Sequence, residues 1–256
     1  MIKTPRVTII VAVFNGEQVL ERCINSVDEQ TYKNKELIII DGLSKDNTVN
    51  ILKENSDKID YWISEKDNGI TNAWNKALKK STGDWILFLG ADDLLYNENS
   101  LEKMLEHCSR FSSYDLIYGK VALINEKLET RKIIGERWNH NKFKTSMHIP
   151  HQGAFHSRTL FADQCYDEKL KFTADYDLLL RKSKELKVKF IEEVVSKMQI
   201  GGVSQVYVKE VYKEWLDSQV KYKVSNKLHL VTHFYYKLLK YKLRVSINNY
   251  FGLFKL

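Results

Sequence analysis

Cysteine and proline are scarce in this sequence. Only three cysteines occur, Cys23, Cys108 and Cys165, and no two of them form a Cys-x-x-Cys pair. An odd number of widely spaced cysteines argues against a disulfide framework and against a thiolate zinc site. With two prolines in 256 residues, no proline-rich linker marks a domain boundary. We therefore expect one large domain, or one domain with an appended segment, in a reducing compartment.

Long apolar runs and a signal segment are also missing. No run approaches the roughly 18–20 apolar residues that span a bilayer. Residues 1–6 do not show the charged-then-apolar order of a secretory signal. The 43% hydrophobic and 29% charged residues are typical of soluble globular proteins. We therefore expect a cytoplasmic protein.

Acidic residues are absent from the end of the chain. Residues 218–256 hold eight Lys or Arg and no Asp or Glu, interleaved with leucines and tyrosines. Residues 209–256 thus read as a basic, amphipathic helical tail suited to an anionic membrane surface. The alternative is a helix packed on the rest of the protein with solvated lysines. Residues 1–208 are balanced in charge, so we expect no nucleic-acid partner.

The first third of the chain alternates apolar strands with helical stripes. Strands are predicted at residues 7–13, 36–40, 61–63 and 85–89, with helices at 19–27, 48–55 and about 72–80. The strands are continuously apolar and rich in β-branched residues, as expected for a sheet covered on both faces. This order predicts an α/β fold with a Rossmann-like, mostly parallel central sheet flanked by helices. Beyond residue 94, strand candidates at 115–118, 121–125 and 131–134 indicate a mixed half.

Polar residues follow three of the predicted strands. Asn15, Asp41 and the pair Asp92-Asp93 stand at carboxyl ends, where open α/β sheets bind ligands, so we expect them to share one crevice. No glycine-rich phosphate loop follows strand one, and no Walker-type motif occurs. Adjacent carboxylates are unfavourable without a positive charge nearby. Mn²⁺ or Mg²⁺ held by Asp92-Asp93 on a diphosphate would supply it.

Six blocks of sequence resemble family 2 glycosyltransferases of the GT-A fold, in the order found in that family. The blocks are residues 8–15, 36–48, 64–93, 151–155, 174–178 and 201–204. The resemblance covers about residues 5–205. It implies a nucleotide-sugar-binding half at 1–93, an acceptor-binding and catalytic-base half at 94–208, and the tail at 209–256.

The resemblance also implies roles for individual residues. Val13 and Asp41 would hold the uracil and ribose of a UDP-sugar, and Asp92 would face the ribose. Asp93 would bind the metal, and Asp175 would act as general base in an inverting transfer. Further donor contacts are implied at Asn15, Asp67 and Asn75, and possible donor or acceptor contacts at Lys76, His151, Gly201, Gly202 and Ser204.

Some positions depart from the family pattern. Many members have Pro at Ala12, Asp at Gly42 and an acid at Ala174, and some have a further Asp at Gly90. Gly90 leaves Asp92 and Asp93 as the only carboxylates of that motif.

Simpler interpretations of these residues stay open. Asp41, Asp46 and Asp67 could be turn or cap residues, and Asp92-Asp93 could begin a helix at Leu94. Asn75 and Lys76 could be solvated on their helix, and Gly201-Gly202 could be a turn rather than a mobile flap. Asp177 is an alternative base. The spacing of His148, His151 and His156 does not favour a zinc site.

We therefore predict an inverting, divalent-metal-dependent glycosyltransferase. It would move a sugar from a nucleotide sugar to a hydroxyl of a glycan or lipid-linked acceptor in bacterial surface polysaccharide synthesis, at the cytosolic face of the inner membrane. A sugar nucleotidyltransferase is one alternative, but it would need a glycine-rich, basic loop after strand one. A non-catalytic nucleotide-sugar-binding or membrane-tethered scaffold is the other.

Overall fold

The first half of the protein is a parallel sheet built from consecutive strand and helix units. The computed structural model describes residues 4–202 and 206–251. Strand β1 is paired with β2 on one side and β4 on the other, and β3 extends the sheet beyond β2. The elements are β1 (Val7–Val13), α1 (Leu20–Asp28), β2 (Lys35–Asp41), α2 (Thr48–Glu54), β3 (Tyr61–Ser64), α3 (Ile70–Lys80) and β4 (Trp85–Gly90). This is the predicted parallel core.

The second half continues the same sheet with mixed pairing. Strand β8 runs antiparallel between β4 and β6, and β9 is parallel to β6. The short strand β5 pairs with β9, and β7 pairs with β6. The elements are β5 (Leu94–Leu95), α4 (Ser100–Arg110), β6 (Leu116–Ile124), β7 (Thr130–Ile134), α5 (His140–Phe143), β8 (Ala154–Ser157), α6 (Ala174–Arg181) and β9 (Val188–Gln199).

Alternate side chains of each central strand enter different cores. Ile9 and Val11 pack with α1 and α4 on one face, whereas Ile10 and Phe88 pack with α3 and α6 on the other. Both faces of the strands are therefore buried, which explains the continuous apolar runs. At roughly 1.5–3 kcal/mol per large apolar side chain, this burial is the main force that holds the sheet together.

Three predicted boundaries differ from the structure. Helix α3 begins at Ile70 rather than Asn72, directly after Gly69, whose φ of +110° only glycine adopts easily. The two strands predicted at 115–118 and 121–125 are one strand, β6. Its register shifts beside Gly119, where a Cβ would lie 2.5 Å from the backbone oxygen of Glu193. Leu94 begins strand β5 and not a helix.

The predicted tail contains two helices, α7 (Val208–Lys221) and α8 (Lys227–Phe251). Helix α7 packs against α6, and α8 packs against α7. The ammonium of Lys237 in α8 donates to the backbone oxygen of Thr145 at 2.7 Å and lies over the ring of Trp215. Over the described part of the chain, none of the helices has the length and apolar character needed to cross a bilayer.

Candidate donor and catalytic site

The carboxyl ends of β1, β2 and β4 meet at one edge of the sheet, as predicted. The amide of Gly42 donates to the backbone oxygen of Val13 at 2.9 Å, which joins the ends of β2 and β1. A Cβ on Gly16 would lie 2.5 Å from Val13 Cγ2 and 3.8 Å from Ala91. The loop after β1 therefore lies directly against the residue that precedes Asp92.

Asp41 is fully buried at the end of β2, where its carboxylate organises the neighbouring loop. It accepts hydrogen bonds from the amide of Ser44 at 3.0 Å and the hydroxyl of Ser64 at 2.5 Å, and a third from the Ser44 hydroxyl. Asp41 thus has the structural role that its sequence context also allowed. Its predicted contact with a nucleoside stays a prediction.

The loop after β1 is tied to the loop after β2. The amide of Asn15 donates to Ser44 Oγ at 2.7 Å, and the side-chain oxygen of Asn15 accepts from the Lys45 amide at 2.9 Å. Asn15 has a positive φ of 52°, a conformation that asparagine tolerates better than most residues. Asp46 accepts from the amides of Glu17 and Thr48, which agrees with its interpretation as a turn-capping residue.

Asp67 lies beside this paired loop. One of its oxygens accepts from the amide of Gly69 at 3.0 Å, which gives it the turn role considered above. Its other oxygen would be 2.8 Å from a Cβ on Gly42, so the absence of a side chain at Gly42 leaves room for it. The ring of Phe14 borders the same point and is 62% exposed. A carboxylate and an open aromatic face thus stand together, a combination suited to a nucleobase.

Asp92 and Asp93 follow β4 at the same edge. Asp93 is 1% exposed and accepts from the Gly90 amide at 2.7 Å, whereas Asp92 is half-buried. Burial, and then the charge of Asp92, raise the pKa of Asp93 to about 7. A Cβ on Gly90 would lie 2.7 Å from one oxygen of Asp92 and 2.8 Å from one of Asp93. Glycine at this position therefore allows both carboxylates to turn back over the strand end.

The Asp92-Asp93 pair suits a divalent cation that is shared with a ligand. Along the described stretches of chain, neither carboxylate forms an ion pair with Lys, Arg or His. No cluster of three His, Cys, Asp or Glu side chains is present there either. A cation at Asp93 would thus need oxygen ligands from outside the protein, as Mg²⁺ commonly takes from phosphates and water.

Asp175 lies half-buried in the first turn of α6. Burial raises its pKa to about 6, opposed by a hydrogen bond from the amide of Tyr176 at 2.8 Å and reinforced by the charge of Glu214. A carboxylate with a pKa near neutrality is suited to accept a proton from a hydroxyl group.

Asp177, the alternative base, is occupied by structural contacts. It accepts from the hydroxyls of Ser218 at 2.8 Å and Tyr222 at 3.0 Å, and Lys221 lies 3.5 Å away. With 1% of its surface exposed, Asp177 joins α6 to α7 and faces away from solvent.

His151 lies in an aromatic cluster beside β4. Its ring stacks on Phe88 with centroids 5.1 Å apart and contacts Trp74 and His156. Burial lowers the pKa of His151 to about 4, so the ring is neutral at physiological pH. Neither of its buried nitrogens has a hydrogen-bond partner among the residues that the structure describes. His151 contacts His156, whereas the ring of His148 stacks on Trp138. The side chains of these three histidines therefore lie in two different clusters.

The remaining predicted residues have less room for a ligand. The side chain of Asn75 donates to the backbone oxygen of Tyr166 and to Glu168, and accepts from the Tyr166 amide. Lys76 pairs with Glu65 at 2.8 Å. Their donor contacts stay predictions.

The segment after β9 begins beside the acidic pair. The backbone of Gln199 donates to Asp93, and Gly201 follows with a φ of +107°. Gly201 and Gly202 are exposed, and a Cβ built on either would have no atom of residues 4–202 or 206–251 within 4 Å, its chain neighbours aside. Ser204 lies outside the described residues.

A cavity of about 930 Å³ lies at the other edge of the sheet, lined by Pro5, Trp85 and Arg158 among others. Two other cavities, of about 600 and 340 Å³, are smaller. It borders the amino ends of the strands and contains no paired carboxylates, so we place the active site at the opposite edge.

Comparison with known proteins decides the family. The profile of glycosyl transferase family 2 matches residues 8–162, more than half of the chain. The protein belongs to this family. A PGL/p-HBAD biosynthesis glycosyltransferase of Mycobacterium bovis is 29% identical over 211 residues, 80% of this chain and 81% of the relative. An uncharacterised glycosyltransferase of Rickettsia typhi is 31% identical over 207 residues, 77% of this chain and 64% of the relative. This glycosyltransferase therefore has relatives that match most of its length.

Solved structures of low sequence identity share its architecture. Staphylococcus aureus TarS, in complex with UDP-GlcNAc, has a TM-score of 0.70 at 16% identity, over 90% of this chain and 70% of TarS. The mannosyltransferase PcManGT from Pyrobaculum calidifontis, in complex with GDP-Man and Mn²⁺, has a TM-score of 0.66 at 16% identity, over 99% of this chain and 77% of that one. These likenesses confirm the GT-A fold.

Four residues of the site were not identified from the sequence. Trp74 and Tyr166 line the cluster around His151, Gln152 donates to Asp93, and Glu214 approaches Asp175 from α7. Trp74 and Tyr166 both read as core aromatics, and nothing in the sequence pairs Glu214 with a residue near position 175. Gln152 stands in a block that resembles the family, which is the one available signal.

Proposed function

We propose that this glycosyltransferase is an inverting, metal-dependent enzyme. It transfers a sugar from a UDP-sugar to a hydroxyl of a glycan or lipid-linked acceptor in bacterial surface polysaccharide synthesis. The supporting observation is that two carboxylates with different surroundings, Asp93 and Asp175, lie where burial raises the pKa of each toward neutrality. Asp93 directly follows the carboxylate of Asp92, whereas Asp175 lies at the start of α6, where the more distant charge of Glu214 adds to the effect of burial.

Each residue has one task in the proposed reaction. The exposed ring of Phe14 and the neighbouring oxygen of Asp67 receive the nucleobase. Asp92 and Asp93 would hold Mn²⁺ or Mg²⁺. The bound cation would neutralise the charge that grows on the departing diphosphate. Asp175 takes the proton from the acceptor hydroxyl as its oxygen attacks the anomeric carbon, which contributes roughly 10²–10⁴-fold to the rate. Displacement from the side opposite the diphosphate inverts the configuration.

The donor assignment is tested by titration calorimetry with UDP and with GDP, each with and without Mn²⁺. Because TarS was crystallised with UDP and PcManGT with GDP-Man, both nucleotides are needed. We expect UDP to bind more tightly in the presence of Mn²⁺, and Asp93→Asn to lose that gain. Asp163→Asn is the matched control, because the side chain of Asp163 is 87% exposed and belongs to no part of the site. Tighter binding of GDP than UDP would overturn the uridine assignment.

The scaffold alternative is tested by turnover. If Asp175→Asn retained full biological activity, the protein would act by binding and not by transfer. For the nucleotidyltransferase alternative, production of a nucleotide sugar from a sugar phosphate and UTP is the deciding assay. The loop after β1 argues against that reaction, because Asn15, Gly16 and Glu17 use their amides to bind side chains of the next loop.

We further propose that helix α8 attaches the enzyme to the cytosolic face of the membrane. Its inner face packs on the protein through Leu230 and Lys237. Its outer face carries a stripe of exposed apolar residues at helical spacing: Leu228 (73% exposed), Tyr235, Tyr236, Leu239 and Leu243. Because residues 218–256 contain no acidic side chain, this face complements anionic lipid. The tail packs on the protein, as one of its two predicted roles required, and in this proposal its outer face has the other role as well.

Vesicle co-sedimentation tests the attachment. We expect binding to vesicles that contain phosphatidylglycerol, little binding to pure phosphatidylcholine, and weaker binding as salt is raised. Leu239→Glu should reduce binding, whereas Glu185→Gln, on an exposed loop away from α8, should not. Equal binding of the wild type and Leu239→Glu would exclude this face as the attachment surface.

A further inference from the structure

The carboxylate of Glu214, in α7, binds the chain segment that leads into α6. Glu214 Oε1 accepts from the backbone amide of Lys171 at 3.0 Å. Glu214 Oε2 accepts from the amides of Phe172 at 3.0 Å and Thr173 at 3.1 Å, and from the Thr173 hydroxyl at 3.1 Å. Three consecutive amides and one hydroxyl therefore converge on a single half-buried side chain.

This arrangement replaces the usual cap of a helix. Thr173 is the N-cap residue of α6, but its hydroxyl donates to Glu214 and makes no capping bond to α6. Consecutive backbone amides that point to one spot form a concave site for an anion, and here the anion is part of the protein. Charge-assisted hydrogen bonds of this kind are about twice as strong as neutral ones. The path of the chain into α6 is therefore set by α7.

The same helix also fixes the residues that follow Asp175. Gln219 donates to the hydroxyl of Tyr176 at 3.0 Å, and Ser218 donates to Asp177 at 2.8 Å. Asp175 thus lies between anchors on both sides, at residue 173 and at residues 176 and 177. Its own oxygens accept no hydrogen bond from the described residues of α7, so they remain oriented by the backbone alone.

We propose that Glu214 is a positioning residue for sugar transfer, because it fixes the segment 171–173 and so the placement of Asp175. The inference rests on the proposed role of Asp175 as general base. It makes α7 a part of the catalytic centre, although α7 lies outside the part of the chain that matches the family profile. Because the geometry of the attack is demanding, a shift of about 1 Å in the base can lower the rate about 100-fold.

The electrostatic surroundings of Asp175 supply a specific readout. Glu214 faces it from α7, Tyr166 faces it from the segment before α6, and the amide of Tyr176 donates to it from its own helix. Burial raises the pKa of Asp175 first, and the negative charge of Glu214 raises it further. A neutral residue at 214 should therefore lower the pKa of Asp175. The acid limb of the pH–rate profile would then move to lower pH.

The test compares Glu214→Gln and Glu214→Ala with the control Glu210→Gln, which alters an exposed acid one helical turn away. For each protein we would measure kcat against pH, the KM for the donor, and the Kd for UDP with Mn²⁺ by calorimetry. We expect Glu214→Ala to lower kcat about tenfold or more, with the Kd for UDP within about twofold of wild type. We expect Glu214→Gln, which keeps an acceptor oxygen, to lose less and to show the acid limb at lower pH.

Each other outcome has a definite meaning. If kcat and the acid limb are unchanged in both variants while Asp175→Asn abolishes transfer, Glu214 is not a positioning residue. If Asp175→Asn transfers sugar normally, the proposed base is wrong, whatever the Glu214 variants do. If Glu214→Ala also loses UDP binding, the variant is misfolded, and Glu214→Gln alone decides through its pH profile.

Discussion

His151 offers a quantitative test of how the buried aromatic cluster responds to pH. Its neutral ring is buried against Phe88, Trp74 and His156, and no acidic side chain pairs with its nitrogens in the portion of the chain described here. The pKa of His151 is about 4 in the folded state, against 6.5 for a histidine exposed to water. Between these two pH values the unfolded chain therefore binds a proton that the folded protein does not bind.

The sign and size of the effect follow from linkage. Above pH 6.5 both states are neutral, and the full stability is present. As the pH falls, the unfolded state gains protons and the free energy of unfolding decreases by up to about 1.4 kcal/mol per pH unit. From pH 7.5 to 5.5 the loss from His151 is about 1.4 kcal/mol, and below pH 4 it approaches about 3.4 kcal/mol. His156, whose pKa burial lowers well below its usual value, adds a loss of the same sign.

The assay is urea unfolding at pH 7.5, 6.5 and 5.5 for the wild type and His151→Phe. Phenylalanine keeps the aromatic stack on Phe88 but cannot take up a proton. Asp93 and Asp175 have raised pKa values in the folded state, so their contribution to the free energy of unfolding increases as the pH falls, opposite in sign to that of His151. Both proteins share this contribution, so the difference between them isolates the effect of His151. We expect the wild type to lose about 1.4 kcal/mol more than the variant over this range. Equal losses in the two proteins would refute the argument.

Three further substitutions test the site. Gly90→Ala should weaken metal-assisted UDP binding about tenfold, because the added Cβ would displace the carboxylates of Asp92 and Asp93, and such overpacking costs about 1–3 kcal/mol. Calorimetry measures the affinity for UDP with Mn²⁺, and an unchanged affinity would contradict the prediction. In the wild type, kcat should fall about tenfold per pH unit below pH 6, because Asp175 must be ionised to accept a proton. The variant Asp175→Asn should abolish sugar transfer while UDP still binds. Asp177→Ala should lower the free energy of unfolding by about 2–3 kcal/mol, since two buried hydroxyls lose their acceptor; a urea melt that matches wild type would rule this out.

The parallel half of the fold could be predicted closely because its signals are local. Strands buried on both faces are continuously apolar, and turn or polar residues follow them, so β1 to β4 were located within one or two residues. That the carboxyl ends of β2 and β4 lie on either side of the end of β1 followed from topology alone. Strand β6 was divided into two in the prediction, because Gly119 is read as a turn residue when the neighbouring strand cannot be seen.

The rest of the site depends on contacts between distant parts of the chain. Glu214 binds amides about 40 positions earlier, and Gln152 reaches Asp93 from a 3₁₀ turn about 60 positions later. Neither contact leaves a periodic or compositional trace in the sequence. Asn75 is the opposite case. Its place in a family-like block predicted a donor contact, but in the structure its side chain is hydrogen-bonded to Tyr166 and Glu168.

The net charge of the tail does not show that its two helices, α7 and α8, differ in their contacts and in their proposed roles. Residues 209–256 contain only three acidic residues, and in the net charge of this basic segment they appear only as a small reduction of its positive value. All three lie in α7, and one of them, Glu214, receives four hydrogen bonds at the entrance to the helix that carries Asp175. The acid-free α8 that follows packs with one face and exposes an apolar, basic stripe on the other. Because α8 is anchored on α7 and α7 on α6, the surface proposed to bind lipid and the residue proposed to activate the acceptor belong to one continuous set of packed helices.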